Sequence, residues 1–250
     1  MKNWFKRPLP FSILSTIVAV AAICALVGDR VKAAGEGSIT GTVKLNGTAP
    51  HMKGIDMSKD PYCAGQHKET VQLENVVVGS NGGIKNVVLY ISEGLPAGAA
   101  SAVPSNEPEF DQKGCMYSPH VMAVDVNQKF KVVNSDQTTH NIHPLPAAGT
   151  GNIGWNKSQP PGAPPIDADW KAQEVAIPVK CNIHPWMHGW HVVVKGPYAI
   201  TDDSGNFTIK NVPAGSYTVT AWQEEYGTQT AKVTVAGGAA AKADFTFKAK

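Results

Sequence analysis

The segment Cys181–Met187 carries the residues whose types and spacing could do chemistry. It reads Cys-Asn-Ile-His-Pro-Trp-Met and offers a thiolate, the imidazole of His184 and a thioether. Thiolate and thioether are soft donors that favour copper among metals, and imidazole accepts either copper oxidation state. Upstream, His140 follows a predicted strand that ends at Asn134, and it would supply a second imidazole from across the fold. Two histidines, one cysteine and a weak axial methionine are the ligand set of a blue copper site, which suits the transfer of single electrons.

Each of these residues also has a purely structural interpretation. A lone cysteine is commonly an inert, buried apolar residue, and a lone methionine commonly fills a core. His184-Pro-Trp-Met could be only a turn that carries a core tryptophan. The combination of the Cys-x2-His-x2-Met spacing with a histidine after a strand is what favours copper.

These motifs resemble the cupredoxins, and the amicyanins in particular, over about residues 110–195. Amicyanins have the same short ligand loop, with proline after the loop histidine and an aromatic residue before the methionine. The resemblance implies a Greek-key β-sandwich with one type 1 copper at one end. It makes His140 and His184 the imidazole ligands, Cys181 the thiolate ligand and Met187 the axial thioether.

The resemblance also assigns supporting roles. Asn141 would tie the turn of the first ligand to the cysteine loop. Pro185 has no N–H and would keep one hydrogen bond off the cysteine sulfur, and His184 would present its ring edge to solvent as the electron port. The Pro-rich segment 144–169 has no counterpart in the family; it is expected to be a loop near the copper end, where it could shape the choice of partner.

The remaining histidines are expected to be surface or structural residues. His143 forms a His-x2-His pair with His140 that could suit zinc, and His188 and His191 follow the axial methionine closely. The other histidines show no ligand spacing: His51, His67 and His120.

Three cysteines remain once Cys24, in the leader, is set aside. They allow three pairings, and only Cys63–Cys115 leaves Cys181 free for metal, so we expect a disulfide between these two. The alternative is that Cys63 and Cys115 bind a second metal.

Short strands bounded by turn residues must position these side chains. No window of the mature chain shows a long helical period, so the sequence predicts an all-β fold of sandwich type. The predicted strands are Ser38–Leu45, Val71–Val78, Lys85–Ile91, Val121–Asn134, Gln173–Lys180, Trp190–Lys195, Tyr198–Thr201, Asn206–Lys210, Ser216–Trp222, Thr228–Val235 and Lys242–Phe247.

The C-terminal part differs from the copper module. Its two hairpin signals, Thr201–Ile209 and Asn211–Val219, resemble the carboxypeptidase regulatory-like, or prealbumin-like, β-sandwich. That family opens with a strand similar to Gly37–Pro50, so the order of motifs suggests a copper module inserted after the first strands. A tandem arrangement is the alternative. The predicted divisions are 1–33, a signal peptide; 37–97, an N-terminal β segment; 98–196, the cupredoxin-like copper domain; and 197–250, the prealbumin-like sandwich.

The first 33 residues predict export. Three basic residues near the N-terminus precede an apolar run from Phe11 to Val27, and Val31-Lys32-Ala33 supplies a cleavage pattern. An uncleaved anchor is the alternative. Cleavage removes five basic and one acidic residue and changes the net charge from +2 to −2, with no membrane span left. The chain would be periplasmic in a Gram-negative host, where disulfides persist. With no basic block, nucleic-acid binding is excluded.

The sequence therefore predicts an exported copper protein that carries single electrons between redox proteins and is not an enzyme. The amicyanin resemblance implies a dehydrogenase as electron donor and a cytochrome as acceptor. Three alternatives remain: a copper storage or delivery protein, a metal-free structural or cell-surface binding module, and, ranked last, a copper enzyme with a further histidine cluster.

Overall fold

The computed structural model describes residues 35–96 and 103–250, and strands dominate both ranges. The predicted all-β class is confirmed. The described part has one short helix, α1 (Pro61–Gly65), which Asp60 caps by accepting a hydrogen bond from the backbone N–H of Cys63. No helix in these two ranges is long and apolar enough to span a membrane. The predicted signal peptide lies outside the described residues.

Seventeen strands follow one another in the described ranges. They are β1 (Gly37–Asn46), β2 (Val88–Glu93), β3 (Glu109–Lys113), β4 (Met116–Ser118), β5 (Val121–Asp125), β6 (Phe130–Asn134), β7 (His140–Pro144), β8 (Lys157–Gln159), β9 (Ile166–Ala168), β10 (Glu174–Lys180), β11 (His188–Val194), β12 (Tyr198–Ile200), β13 (Asn206–Val212), β14 (Gly215–Gln223), β15 (Gly227–Val235), β16 (Ala240–Lys242) and β17 (Phe245–Lys248).

One sandwich is built from the two ends of the described chain. One of its sheets has the order β13-β1-β16, with β17 also on β1, and the other has the order β12-β2-β14-β15. β1 is antiparallel to β13 and parallel to β16 and β17. The apolar core of this sandwich includes Ile39, Leu89, Ile209, Val219 and Phe245. The first strand thus pairs with strands more than 160 residues later, while the predicted domain boundaries stay a prediction.

The other sandwich carries the residues of the candidate site. Its sheets have the orders β5-β11-β10-β7-β8 and β4-β3-β6-β9. Its core includes Phe110, Phe130, Trp170, Ile177 and Met187. Side chains alternate between the two faces of a strand. In β11, the side chain of Val193 packs in this core, and the side chains of the residues just before and after it lie on the opposite face of the sheet.

A third apolar cluster lies between the inner sheets of the two sandwiches. β2 contributes Val88 and Tyr90 to it, and β11 contributes Val192 and Val194. The alternate residues of β2, Leu89 among them, point the other way and lie in the core of the first sandwich. Both faces of β2 are therefore buried. This double burial explains the unbroken apolar run of β2, which is typical of a strand that is covered on both sides.

The structure corrects several predicted elements. The predicted strand Val121–Asn134 is two strands, β5 and β6, which lie in opposite sheets of one sandwich; the chain turns between them at Asn127, whose φ is 64°. Val71–Val78 forms isolated bridges at Gln72 and Val78 instead of a strand. His140 is the first residue of β7.

The Pro-rich segment 144–169, predicted as a loop, contains β8 and β9 and is held by a buried carboxylate. Glu174 accepts hydrogen bonds from the backbone N–H of Ala147 at 2.6 Å, from Thr150 Oγ1 at 2.8 Å and from Asn152 Nδ2 at 2.9 Å. β8 pairs with β7, opposite His140. The segment therefore forms part of the sheet that carries the first predicted ligand.

Candidate metal centre

A tight connection between β10 and β11 brings Cys181, His184 and Met187 together. The two strands are antiparallel, with Lys180 opposite His188, so the seven residues between them must fold back on themselves. The backbone N–H of Cys181 donates to Met187 O at 3.1 Å, and that of Met187 donates to His184 O at 2.9 Å. All three predicted ligands of this loop are buried as a result.

His140 reaches the same place from β7. Its Nδ1 faces His184 Nδ1 at 2.9 Å, and Cys181 Sγ lies 4.0 Å from His184 Nδ1. The donor atoms of the three residues all lie within 4.8 Å of one another, and all three side chains are buried. Three of the four predicted ligands therefore converge on one point, and Met187, which is fully buried, belongs to the apolar cluster that also contains Cys181.

A carboxylate holds the far nitrogen of each histidine. His140 Nε2 donates to Asp136 Oδ2 at 2.8 Å, and His184 Nε2 donates to Asp60 Oδ2 at 3.0 Å. An ionised carboxylate can only accept, so we assign the ring hydrogen to Nε2 in both neutral rings. Both Nδ1 atoms then carry a lone pair that is free to bind a metal ion.

Asp136 is itself fixed by the backbone. It accepts from the N–H groups of Gly114 and Cys115, both at 2.7 Å. Burial alone would raise the pKa of Asp136, but its hydrogen bonds from His140, Cys115 and Gly114 outweigh burial and lower it. The carboxylate therefore stays ionised behind His140.

The protonation of the site favours a thiolate. Burial alone would raise the pKa of Cys181, but its interactions with His140 and with the backbone N–H groups around it lower that pKa. Burial alone would lower the pKa of His140, yet its interactions with Asp136 and Cys181 raise it. Thiolate is the form of cysteine that binds metal, so the environment prepares the sulfur for that role.

Asn141 lies beside the Cys181–Met187 loop, and Pro185 lies in it. Asn141 Oδ1 accepts from the backbone N–H of Asn182 at 2.6 Å and lies 3.3 Å from Cys181 Sγ, so it joins β7 to the ligand loop. The backbone N–H of His184 lies 3.3 Å from the same sulfur. Pro185 is exposed and has no N–H to offer it.

The predicted disulfide is present and lies beside the ligand loop. Cys63 and Cys115 are bonded, with their Cα atoms 5.5 Å apart, and Cys181 is the free cysteine of the described residues. Cys63 Sγ lies 3.7 Å from His184 Nε2. Trp186 Nε1 donates to Cys115 O at 3.1 Å, so the disulfide segment covers one side of the loop.

One predicted property of the site is wrong. The sequence predicts that His184 shows its ring edge to solvent, but His184 is only 3% exposed, and Asp60 and the disulfide cover its Nε2. His143 is turned away from the donor atoms, with its Nδ1 3.1 Å from Asn182 Oδ1. A His-x2-His metal pair with His140 is therefore not formed.

Two residues of the site had no place in the sequence analysis. Asp136 lies four residues before His140, a spacing that could have suggested the pair. Asp60 lies 124 residues before His184, and its only local signal is the Asp-Pro start of a helix. Long-range pairing of this kind has no signature in one sequence.

Comparisons with known proteins match parts of the chain. The family model of the carboxypeptidase regulatory-like domain matches residues 188–248, which begin within β11. No curated protein matches the chain.

Solved copper proteins match the chain with low TM-scores. Amicyanin from Paracoccus versutus is 15% identical, with 42% of this chain and 97% of that chain covered and a TM-score of 0.31. A purple cupredoxin from Nitrosopumilus maritimus is 15% identical, with 35% and 100% covered and a TM-score of 0.29. A copper-containing nitrite reductase from Thermus scotoductus is 17% identical, with 42% of this chain covered, only 26% of that chain spanned, and a TM-score of 0.32. We therefore base the functional proposal on the donor atoms themselves.

Proposed function

We propose that this protein binds one type 1 copper ion and carries single electrons between redox proteins. The observation that supports this proposal is the convergence of His140 Nδ1, His184 Nδ1 and Cys181 Sγ on one buried point. In this proposal, the thioether of Met187 is the axial ligand of the copper ion. A set of two imidazoles, a thiolate and a thioether is the donor chemistry of blue-copper electron carriers.

Copper, when bound, supplies a Cu(I)/Cu(II) couple that accepts and releases one electron. The chain supplies a rigid frame for it. His140 and His184 cannot rotate freely, because each ring is fixed by a carboxylate. Asn141 fixes the start of the ligand loop through the backbone of Asn182. A frame that barely moves between the two oxidation states keeps the reorganisation energy small.

The route to the surface passes beside His184 rather than through its edge. The ring of Trp186 lies 5.1 Å from that of His184, centroid to centroid, and is partly buried. Ile183 and Pro185, on either side of His184 in the chain, are exposed, and 49% of Ile183 is accessible. We propose this apolar rim as the surface on which a redox partner docks.

The proposal places the protein outside the cytoplasm. The predicted signal peptide and the disulfide both suit an oxidising compartment such as the periplasm. A dehydrogenase and a cytochrome are the partners that the amicyanin resemblance suggests. We propose a carrier rather than an enzyme, because the ligand set contains the groups that a redox centre needs and adds no substrate-binding group.

Copper reconstitution tests the proposal. The exported form is stripped of metal, titrated with Cu(II) and followed by visible absorption and electron paramagnetic resonance. We expect one copper per chain and an intense thiolate-to-copper band that Cys181→Ala abolishes and that His51→Ala, at an exposed histidine, retains. Absence of bound copper would support a metal-free binding module. Tight Cu(I) binding without reversible oxidation would support storage or delivery.

A further inference from the structure

Two histidines and a glutamate form a second cluster, separate from the copper ligands. His120, His188 and Glu224 each offer one donor atom, and these atoms all lie within 4.8 Å of one another. His120 precedes β5, His188 begins β11 and Glu224 follows β14, so three distant segments meet here. The side chains of His120 and Glu224 are only 2% and 3% exposed.

Each residue of the cluster has a buried polar atom without a partner among the described residues. These atoms are His120 Nδ1, His188 Nε2 and Glu224 Oε1. One hydrogen bond links the cluster, from His120 Nε2 to Glu224 Oε2 at 2.8 Å. Buried polar atoms are nearly always paired, since leaving one unpaired is costly. His188 Nε2 and Glu224 Oε1, next to His120 Nε2, therefore point to a ligand that the three side chains share.

The ring of His188 is oriented as a metal ligand would be. Its Nδ1 lies 3.1 Å from the backbone oxygen of Trp186, which can only accept, so we assign the ring hydrogen to Nδ1. The lone pair of the neutral ring then lies on Nε2, the unpartnered atom. Metal-binding histidines commonly donate their other N–H to a backbone carbonyl in this way.

We propose that His120, His188 and Glu224 bind a divalent metal ion of the zinc class. Two imidazoles and a carboxylate suit zinc, whose tetrahedral ligands lie roughly 3.3 Å apart for bonds of about 2.0–2.1 Å. The observed spread of at most 4.8 Å closes to that value with small side-chain movements. His120 binds through Nε2, the nitrogen beside Glu224, and Glu74, with its Oε2 4.0 Å from Nδ1, lies behind the ring, where a carboxylate orients a metal-binding histidine.

The ion would fasten the two sandwiches to each other. Glu224 follows the strand β14 of the sandwich formed by the chain ends, whereas His120 and His188 belong to the sandwich with the candidate copper site. This inference does not depend on the copper proposal, because none of its ligands is shared with His140, Cys181 or His184.

Zinc binding to the exported chain tests the inference, and a Cys181→Ala background removes the thiolate of the other site. The probes are Zn²⁺ and, as a hard-cation control, Mg²⁺, measured by titration calorimetry and by metal analysis after desalting. We expect one Zn²⁺ per chain and no Mg²⁺. Adding His120→Ala or Glu224→Gln should weaken Zn²⁺ binding at least tenfold, and adding His51→Ala, at an exposed histidine, should leave it unchanged.

Glu224→Gln keeps the side-chain volume and a hydrogen-bond acceptor for His120. If His120→Ala fails to fold, the Zn²⁺ affinity of Glu224→Gln therefore tests the inference by itself. Two outcomes overturn the inference. One is the absence of stoichiometric Zn²⁺ in the Cys181→Ala chain. The other is Zn²⁺ affinity that Glu224→Gln leaves intact, which would make His120 and Glu224 a buried ion pair and no more.

Discussion

His140 and His184 turn their Nδ1 atoms toward each other at 2.9 Å in a buried site. Both rings donate from Nε2 to a carboxylate, so two lone pairs meet unless a cation or a shared proton lies between them. Against the effect of burial, Asp136 and Cys181 raise the pKa of His140, and His140 and nearby backbone groups lower the pKa of Cys181, so the site favours a positive charge beside a thiolate. A metal ion would satisfy both nitrogens and the thiolate at once, which is why the pair favours a metal centre over an inert core.

Asp60→Asn should raise the midpoint potential of the copper-loaded protein. The substitution keeps an acceptor for His184 Nε2 and a cap for α1, but it removes a negative charge that favours Cu(II) over Cu(I). We expect a rise of tens of millivolts by Coulomb interaction at intermediate dielectric. Redox titration of the visible band measures it, with Asp56→Asn, an exposed carboxylate nearby in the chain, as the control. A lower or unchanged potential contradicts the role of Asp60.

Asn141→Ala should loosen the ligand loop and destabilise the fold. It removes a buried side chain that accepts from the Asn182 N–H and contacts Cys181 Sγ, so we expect a loss of about 1–3 kcal/mol of unfolding free energy. Denaturant unfolding of the metal-free protein measures the loss. Asn46→Ala is the control, since Asn46 is exposed at the end of β1 and its replacement should change stability by less than about 0.5 kcal/mol. Equal effects of the two variants would show that the contact of Asn141 with the loop is unimportant.

Removing the disulfide should destabilise the protein strongly. Cys63 and Cys115 are 52 residues apart, and closing a loop of that length lowers the entropy of the unfolded chain by the equivalent of about 4 kcal/mol. The double variant Cys63→Ala/Cys115→Ala should therefore lose about that much unfolding free energy. The reduced wild-type chain is the control and should lose a similar amount. A loss of less than about 1 kcal/mol would mean that removing the disulfide adds little conformational entropy to the unfolded chain.

The loop that brings the three candidate donors together was predictable from sequence because its residues are close neighbours in the chain. Cys181, His184 and Met187 lie within one tight connection, and His140 starts the neighbouring strand. The burial of His184 was not predictable, since Asp60 and the disulfide that cover it come from a segment far away in the chain.

The same reason limits what the sequence says of the second cluster and of the strands. Glu224 meets His120 across 104 residues, and no spacing rule links them. The region 121–134 looks continuous because β-branched residues fill both halves, while the break depends on the single left-handed residue Asn127. Burial of β2 on both faces, in contrast, is visible in its unbroken apolar run.

His191 should make the fold sensitive to mild acid. It is fully buried against Phe110 and Phe130, and neither ring nitrogen has a hydrogen-bond partner among the described residues. Burial lowers its pKa to about 3. The unfolded chain takes up the proton near pH 6.5, whereas the folded chain does not until about pH 3, so stability falls as pH drops through this window. Between pH 7.5 and pH 5 the loss from this residue is about 2 kcal/mol.

The variant His191→Leu, which has a similar volume and no titrating group, isolates this effect. Its unfolding free energy should exceed that of the wild type by about 2 kcal/mol more at pH 5 than at pH 7.5. The same substitution at His51, which is exposed, is the control and should leave the pH dependence as it is. Parallel pH profiles of wild type and His191→Leu would mean that the folded protein protonates His191 readily, through an opening of the aromatic cluster around it.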